Sequence, residues 1–452
     1  MDETTLRGLL AGALTEEPPM GPVTQYALRK GLRLRRLRRL LAAGGALATI
    51  VAVGLGLRIA GPAGGHPAPP ALGPAEHAVY AVDESAGKVM RVAPDGSTLI
   101  RTGPLGPFTV GPRSLALSPD GKTLYTVSEK LAGGVVTPVN ISAGTVGRRI
   151  KVGKDAVAIA VTPDGRTAYV ANFYAGTITP VDLTRGVAEP PIKVGALPRA
   201  IVIAPDGRTA YVLNQVTHDS RRGSVTPVNI ATGKPGRPIL VGWNPVTMNL
   251  TPDGTTLLVA EVRTSSPREM GSVTPVDIAT GTAGKPIPVA QPSPWGFTFT
   301  PDGRTAYLPN WESDTVTPIS LATLTAGKPI KVGAGPWEVA VTPDGKTAYV
   351  LNHTDHGSWV TPFDTATGIP GTPIPVPTNG WSIAMSPDGR SVYVGSFKRG
   401  KLTTISTSTN RVSRTVMLSQ VGPVIVVTGP DRPGPRSPSP RLTVPGCRPG
   451  AT

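Results

Sequence analysis

A short motif built around Pro-Asp-Gly recurs along the chain and constrains its fold more than any other feature. Seven clear copies, among them VTPDGRTAYVAN at 161–172, follow one another at intervals of 42 to 49 residues. The proline of each copy is in turn Pro119, Pro163, Pro205, Pro252, Pro301, Pro343 and Pro387. A period of about 40–50 residues made of strand-like segments is the signature of a β-propeller.

One period divides into four strands. Within residues 198–241, the apolar run PRAIVIA is followed by the turn residues PDG and then by RTAYVLN, GSVTPVNI and RPILVG. Gly and Pro number 54 and 51 in a chain of 452 residues, which suits an all-β protein with many tight turns. The sequence therefore predicts four-stranded antiparallel blades, each packed on its two neighbours.

The third strand of the period carries Thr-Pro in six copies. These prolines are Pro138, Pro180, Pro227, Pro275, Pro318 and Pro362. Proline cannot donate a hydrogen bond to a strand ladder. We therefore predict a bulge, or one missing ladder bond, at this point of each blade.

The two ends of the repeat region complement each other. HAVYAV, at 77–82, aligns with the second strand of the period, whereas GPVIVVTG, at 422–429, aligns with the first and has no partners after it. Inserting the C-terminal strand into the first blade would close the ring and remove an open sheet edge. This arrangement predicts eight blades over residues 77–428, and seven is the alternative if one degenerate copy packs outside.

The N-terminal region reads as a membrane anchor. Seven basic residues lie within 29–39, and the next 18 residues, 40–57, carry no charge. Such a run is long enough to cross a bilayer, and the basic cluster marks the cytoplasmic side. We predict a cytoplasmic segment at 1–39, a transmembrane signal anchor at 40–60, a Pro/Gly-rich linker at 61–76 and an extracytoplasmic propeller at the cell membrane. The alternative is secretion after cleavage of a signal peptide.

The C-terminal residues 429–452 are rich in Pro, Ser and Arg and are predicted to be a disordered tail. Cys447, the chain's single cysteine, lies in this tail. An intrachain disulfide is therefore excluded.

The second strand of several copies carries a family resemblance. Residues 169–172, 211–214 and 349–352 read Tyr-Val-x-Asn, and 307–310 is a near match. These strands resemble the YVTN-type β-propeller repeat of YncE-like proteins, over about 350 residues. The resemblance implies the propeller fold, commonly with seven blades. It leaves function open, because such propellers include cell-envelope proteins, a DNA-binding protein and relatives of lactonases.

One register position predicts a ligand pocket. The residue after the start of each innermost strand is a tryptophan in three successive copies and an arginine in two others; these are Trp295, Trp337, Trp381, Arg113 and Arg199. An aromatic wall facing a cationic one would suit an anionic or sugar-like ligand. The alternative is that the indole rings fill space between blades. We also predict ligand contacts from the asparagines of the Tyr-Val-x-Asn strand, Asn172, Asn214, Asn310 and Asn352.

Familiar catalytic motifs are missing from the sequence, which has no GxSxG, HExxH or P-loop. The segment HTDH at 353–356 offers too few ligands for a metal site. We therefore predict no catalytic residue, no metal and no cofactor.

The charge of the chain bears on its partners. The net charge of +16 leaves an anionic cell-envelope polymer, a small ligand in the channel or nucleic acid as possible partners. The predicted function is a membrane-anchored extracytoplasmic binding or scaffold module rather than an enzyme. A propeller hydrolase of lactonase type and a nucleic-acid-binding propeller are the alternatives.

Overall fold

A computed structural model of the protein describes residues 79–83, 88–92, 98–101, 110–130, 133–141, 143–216, 222–262, 270–290, 296–354, 356–376, 379–396, 400–418 and 424–428. All of them belong to one compact unit of the chain. Before residue 114 and after residue 418 the description is limited to the backbone. The predicted anchor at 40–60, the linker at 61–76 and the tail at 429–452 lie outside these residues. Within them, no helix has the length and apolar character needed to cross a membrane.

The described strands form eight antiparallel sheets, numbered 1 to 8 along the chain. Sheet 1 begins with β1 (Val79–Asp83), β2 (Lys88–Val92) and β3 (Thr98–Arg101). Sheet 2 contains β4 (Val110–Leu117), β5 (Thr123–Lys130), β6 (Gly133–Asn140), β7 (Thr145–Val146) and β8 (Ile150–Lys151). Sheet 3 contains β9 (Ala156–Val161), β10 (Thr167–Asn172), β11 (Thr177–Asp182), β12 (Val187–Ala188) and β13 (Ile192–Lys193). Sheet 4 contains β14 (Ala196–Ile203), β15 (Thr209–Val216), β16 (Arg222–Asn229) and β17 (Ile239–Trp243).

The second half of the chain repeats this plan. Sheet 5 contains β18 (Pro245–Leu250), β19 (Thr256–Val262), β20 (Met270–Asp277), β21 (Thr282–Ala283) and β22 (Ile287–Ala290). Sheet 6 contains β23 (Thr298–Phe299), β24 (Thr305–Asn310), β25 (Thr315–Ser320), β26 (Thr325–Ala326) and β27 (Ile330–Lys331). Sheet 7 contains β28 (Pro336–Val341), β29 (Thr347–Thr354), β30 (Gly357–Asp364) and β31 (Ile374–Val376). Sheet 8 contains β32 (Gly380–Met385), β33 (Ser391–Ser396), β34 (Lys401–Ser406) and β35 (Arg411–Met417), and β36 (Val424–Thr428) completes sheet 1.

The PDG segments form the turns between the first and second strands, as predicted. In sheet 3, Gly165 adopts a φ of 71°, and its N–H donates to the carbonyl oxygen of Thr162 at 2.8 Å. The Asp164 carboxylate accepts the N–H of Arg166 at 3.0 Å and a hydroxyl bond from Thr162. These bonds lower the pKa of Asp164, led by the one from Thr162. The repeated motif therefore closes one end of each blade.

The third-strand prolines explain why some sheets count five strands. The register of β10 and β11 runs through Pro180 without a shift, and Pro180 faces Tyr169. On the other side, β12 pairs with Val181 and Asp182, and β13 pairs with Thr177 and Ile178. The outer strand is thus split on either side of the proline. We predicted an irregularity in the third strand, but the break lies in the fourth strand beside the proline. The sheet is therefore a four-stranded blade whose outer strand is in two pieces.

The first strands of successive sheets adjoin one another. β9 contacts β4 and β14, β14 contacts β18, and β32 contacts both β28 and β36. The predicted pairing of the C-terminal strand is confirmed, because β36 runs antiparallel to β1 from Asp83–Val424 to Val79–Thr428. These contacts place the first strand of each period on the inside of the propeller.

The hydrophobic core lies between neighbouring sheets. One cluster joins Val157 and Tyr169 of sheet 3 to Ile201 of sheet 4. Another joins Trp337 of sheet 7 to Val392 of sheet 8. The described part of the chain is therefore an all-β propeller fold built of four-stranded antiparallel sheets, in which each blade is stabilised by its neighbours.

Candidate functional site

The innermost strands share a β-bulge at one position. Where the first and second strands pair, the register skips one residue in sheets 3, 4, 5, 7 and 8. The skipped residues are Val157, Arg199, Val246, Trp337 and Trp381. In sheet 2, the shift falls between Val110 and Ser114 and so includes Arg113. This is the register position singled out in the sequence, and a bulge re-aims the side chain at that point.

Two of the three predicted tryptophans are described, and both are buried. Trp337 is 3% exposed and Trp381 is 8% exposed, and their ring centroids lie 5.4 Å apart. Trp311, from the loop after β24, meets Trp337 edge to face at 5.0 Å. Trp337 and Trp381 belong to the hydrophobic cluster that spans sheets 2, 7 and 8. The two indoles therefore pack between sheets 7 and 8, and their ligand-binding role stays a prediction. Trp295 lies outside the described residues.

Arg199 is a buried cation. It is 3% exposed, and its Nε donates to the carbonyl oxygen of Val246 at 2.9 Å. Burial lowers the pKa of Arg199 to about 10, so the guanidinium stays protonated at neutral pH. The bond links the innermost strands of sheets 4 and 5. The side chain of Arg113 lies outside the described residues, so the predicted cationic wall of two arginines stays a prediction.

The four predicted asparagines are all fully buried within their own blades. Nδ2 of Asn172 donates to Thr179 Oγ1 at 2.8 Å, and Nδ2 of Asn214 donates to Thr226 Oγ1 at 2.9 Å. Asn310 makes the same bond to Thr317 at 2.7 Å, and Asn352 accepts one from Thr361 at 3.0 Å. Each amide thus ties the second strand to the third, and a role in ligand binding stays a prediction.

A glycine before the innermost strand makes room for this asparagine. A Cβ at Gly195 would lie 2.8 Å from Cγ of Asn214, closer than side chains approach, and Gly195 has a φ of 143°. This close approach explains why a Val-Gly pair recurs at the end of the outer strand.

Glu261 occupies the asparagine position in sheet 5. It is fully buried, and its carboxylate accepts the N–H of Gly242 and the hydroxyl of Ser272, both at 2.6 Å. Aligning the copies by residue shows this substitution, because LVAE replaces Tyr-Val-x-Asn at 258–261. The longer side chain holds the loop that leads into β18.

Glu338 is a candidate functional residue that the sequence did not single out. It directly follows the bulged Trp337 on β28, and its Oε2 accepts the N–H of Ile383 on β32 at 3.0 Å. The residue keeps partial contact with solvent, but the protein packed around the carboxyl removes most of its hydration. This desolvation raises the pKa of Glu338 to about 8, although the bond from Ile383 opposes the rise.

The repeat itself carries a signal for Glu338. The equivalent positions in five other sheets hold small residues, namely Ser114, Ala158, Ala200, Thr247 and Ser382. One glutamate among serine, alanine and threonine at an inner-strand position marks a blade that departs from the repeat.

His353 lies on the same side of sheet 7 as Glu338. Glu338 pairs with Leu351, and His353 is two residues further along β29, so the two side chains share one face. His353 Nδ1 lies 2.9 Å from Ser358 Oγ, which accepts the N–H of Gly380 at 2.8 Å. Trp337 and Trp311 flank the imidazole at centroid distances of 6.1 and 6.4 Å. In the described residues, no group of three or more His, Cys, Asp and Glu is placed to hold a metal ion.

The fold and part of the sequence are similar to known propellers. The family described as "Lactonase, 7-bladed beta-propeller" matches residues 88–194, about a quarter of the chain. The dihydro-heme d1 dehydrogenase NirN, solved in complex with DHE, has a TM-score of 0.64 at 19% identity and covers 80% of this chain and 77% of its own.

Two further solved structures bear the name 6-phosphogluconolactonase as a candidate assignment. The one from Bacteroides fragilis has a TM-score of 0.51 at 17% identity and covers 78% of this chain and 98% of its own. The one from Bacteroides uniformis has a TM-score of 0.50 at 15% identity, with coverages of 78% and 99%. No curated protein sequence matches the chain significantly.

These comparisons correct the predicted function. The prediction of a binding or scaffold module is wrong, because the matching family is a lactonase family and lactonase-named propellers share the fold. The predicted membrane anchor and extracytoplasmic location are not tested by these comparisons and stay predictions. The alternative of a propeller hydrolase is better supported. The prediction relied on the lack of a catalytic motif in the linear sequence. A propeller, however, assembles its inner surface from strands that are far apart along the chain.

Proposed function

We propose that this protein is a hydrolase of lactonase type, which opens a cyclic ester by the attack of water. The observation that carries the proposal is Glu338, a carboxyl on an innermost strand whose pKa of about 8 lies close to neutral pH. A general base works best when its pKa is near the working pH. The match of residues 88–194 to a lactonase family supports the same reaction class.

In the proposed reaction, the Glu338 carboxylate takes a proton from water as the water oxygen attacks the lactone carbonyl carbon. The tetrahedral intermediate then collapses, the ring C–O bond breaks, and the released alkoxide takes the proton back from Glu338, which gives a hydroxy acid and restores the carboxylate. The desolvation that raises the pKa also makes the carboxylate a stronger base than in water. The single hydrogen bond from Ile383 holds one carboxylate oxygen in place.

The test is whether the purified full-length protein hydrolyses any of a panel of γ- and δ-lactones. A pH-stat measures the acid that the reaction releases. Glu338→Gln should lower kcat by at least about 100-fold, because positioned acid–base groups contribute on the order of 10²–10⁴. The matched control is Glu312→Gln, which makes the same change at an exposed loop position. Failure of the wild type to hydrolyse any lactone, or full activity of Glu338→Gln, would contradict the proposal.

We also propose that the eight sheets are eight blades of one closed ring. The pairing of β36 with β1, the contact of β36 with β32 and the cluster shared by sheets 2, 7 and 8 support this count. The matched family is described as seven-bladed, so this ring would have one blade more.

Location and family remain proposals that rest on the sequence. The basic residues at 29–39, followed by 18 uncharged residues, support a single-pass anchor with the propeller outside the cytoplasm. The Tyr-Val-x-Asn strands support a relation to YncE-like repeats. Protease treatment of spheroplasts tests the anchor, because it should remove the propeller and leave a small N-terminal fragment. A protected propeller would contradict the proposed orientation.

A further inference from the structure

The outermost strands of the sheets carry a repeated five-residue segment, which we call the outer segment. It reads Gly-x-x-Ile-x in sheets 2, 4, 5, 6 and 7, and Glu replaces Gly in sheet 3. The isoleucine is buried or half-buried, whereas the residues on either side of it are exposed in all six sheets. This alternation is that of a strand with one face on the core, so the x positions lie on the outer wall of the propeller.

The x positions are strongly basic in five successive sheets. Eight exposed basic residues lie in the outer segments of sheets 2 to 6, and we call them the basic belt; they are Arg148, Arg149, Lys151, Lys193, Arg237, Lys285, Lys328 and Lys331. The one acidic residue of these segments, Glu189, lies 3.5 Å from the guanidinium of Arg185. In sheet 7 the outer segment, GTPIP at 371–375, has no charge. The basic belt therefore ends at sheet 6.

The outer strands of successive sheets adjoin one another. β8 contacts β12, β17 contacts β21, and β22 contacts β26. Between sheets 3 and 4, the turn before the outer segment packs on the preceding sheet, because a Cβ at Gly233 would lie 3.6 Å from Cδ1 of Ile192. Packed sheets lie about 10 Å apart, so basic groups recur at intervals of at least about 10 Å along one continuous surface.

The end of the propeller that carries the PDG turns is more evenly charged than the wall. Six of the seven PDG motifs place a basic residue two positions after their aspartate, at Lys122, Arg166, Arg208, Arg304, Lys346 and Arg390. In one of them, Arg304 Nε lies 4.0 Å from Asp302 Oδ2. Each of these cations has an anion of its own turn nearby, whereas the outer segments of sheets 2 to 6 hold one acidic residue for eight basic ones. The wall therefore attracts anions more strongly than the PDG end does.

The shape of the wall favours a flexible partner. Blades are arranged radially in a propeller, so its outer wall is convex. Duplex DNA has a persistence length of about 150 bp and would have to bend tightly to follow this surface. A flat anionic membrane would touch only part of the arc from sheet 2 to sheet 6. A flexible polyanion can contact all five sheets without either restriction.

The composition of the outer segments indicates the chemistry of that polyanion. Proteins that hold single-stranded nucleic acid without sequence preference combine basic groups with aromatic side chains on which the bases stack. The five outer segments contain no aromatic residue. Arg149 and Lys151 are two residues apart, about 7 Å along an extended chain. Closely spaced anionic groups, as in a polymer of phosphate units, match such a density of cations.

We propose that the basic belt binds a flexible phosphate polymer without bases, which runs along the outer wall from sheet 2 to sheet 6. Each sheet supplies between one and three cations, so the affinity comes from many weak contacts and not from one pocket. The outer segments lie on the fourth strands, whereas Glu338 lies on an innermost strand, so the proposal does not depend on lactone hydrolysis.

The test measures binding of end-labelled inorganic polyphosphate of one defined chain length to the full-length protein, by fluorescence anisotropy at several salt concentrations. The wall variant combines four substitutions in the basic belt, Arg148→Gln, Arg237→Gln, Lys285→Gln and Lys328→Gln. The control variant combines Lys122→Gln, Arg166→Gln, Arg208→Gln and Lys346→Gln beside the PDG turns. Both variants lose two arginines and two lysines from exposed positions, so they have the same net charge.

The wall variant should bind polyphosphate at least about tenfold more weakly than the wild type at about 0.1 M salt. The slope of the logarithm of its association constant against that of the salt concentration should fall by about 3, because each neutralised phosphate of a flexible strand contributes roughly 0.7. The control variant should stay within about twofold of the wild type. Both variants should keep the wild-type melting temperature, since the substituted side chains are exposed.

Chain length provides a second measurement. Tripolyphosphate is too short to join neighbouring sheets, so it should bind far more weakly than the long polymer, whose contacts with several sheets reinforce one another. Tripolyphosphate that binds as tightly as the long polymer would point to a single pocket and would overturn the proposal.

Three other results would also overturn it. Equal weakening in the wall and control variants would mean that net charge alone attracts the polymer. Binding of duplex DNA, or of vesicles of phosphatidylserine, at least as tight as that of polyphosphate at equal anion concentration would assign the wall to a rigid or flat partner. A wild type that does not bind polyphosphate at about 0.1 M salt would leave the basic belt without this function.

Discussion

Replacing Glu338 by glutamine should make the protein more stable at alkaline pH and leave its stability at pH 5 unchanged. Burial raises the pKa of this carboxyl in the folded protein from an ordinary value of 4.5 to about 8. Between these values, the folded protein binds a proton that the unfolded chain has released. The free energy of unfolding therefore falls as pH rises, by about 1.4 kcal/mol for each pH unit.

The size of the effect follows from the width of this window. From pH 4.5 to pH 8 the loss would reach about 5 kcal/mol for a carboxyl with no access to solvent. Glu338 keeps partial contact with solvent, which screens its charge, so we expect about 2–3 kcal/mol. The glutamine amide resembles the protonated carboxyl in shape and does not titrate, so the variant should avoid this loss.

The assay is urea unfolding of the wild type, Glu338→Gln and the exposed control Glu312→Gln at half-unit steps from pH 5 to pH 8. We subtract the variant's curve of unfolding free energy against pH from that of the wild type. The contributions of groups that titrate alike in both proteins then cancel. The wild type and Glu312→Gln should lose stability together as pH rises, and Glu338→Gln should diverge from them above about pH 5. Parallel curves for the wild type and Glu338→Gln over the whole range would refute the burial argument.

Three further predictions concern residues around the ring. Trp337→Ala should lower the free energy of unfolding by about 3–5 kcal/mol, as expected for a buried tryptophan, whereas Trp243→Ala, at a position 42% exposed, should change it by less than about 0.5 kcal/mol in the same urea titration. Asn214→Ala should lower the free energy of unfolding by about 1–3 kcal/mol, because it removes the hydrogen-bond partner of Thr226. Unchanged stability with weakened ligand binding would instead favour the binding role predicted from the sequence. Truncation after Met417 removes β36 and should abolish cooperative thermal unfolding, whereas truncation after Pro430 should have little effect, and equal melting of the two proteins would contradict closure by the C-terminal strand.

The sequence predicts the sheets well because the information that defines them is local. A run of apolar residues and a PDG turn specify a pair of strands within about 15 residues, and copying that unit specifies the next blade. The closing strand could also be predicted, since 422–429 repeats the first-strand pattern without partners. The common bulge was visible only as a shared register position, because a bulge depends on pairing with the neighbouring strand.

Exposure and chemistry at the candidate site were harder to predict. The four asparagines look like exposed polar residues at a strand end, yet a glycine from the preceding loop covers a residue such as Asn214. Trp337 and Trp381 share a register position on adjacent blades, but whether they line a channel or pack between sheets depends on distances that the sequence does not encode. Glu338 belongs to no linear motif, because its environment comes from β32, more than 40 residues later.

Glu338 combines these arguments. Its position in five other blades is filled by serine, alanine or threonine, so a small residue satisfies the packing of an innermost strand. Because burial raises the pKa of this carboxyl, it lowers the free energy of unfolding as pH rises above about 4.5, and the hydrogen bond from Ile383 offsets only part of that cost. A residue that is not needed for packing and reduces stability is expected where activity requires it. The same variant therefore tests both the stability cost and the catalytic role of this residue. Glu338→Gln should be more stable than the wild type at pH 8 and should lose lactone hydrolysis. A gain in stability with full activity would confirm the raised pKa of Glu338, but it would mean that another residue is the general base.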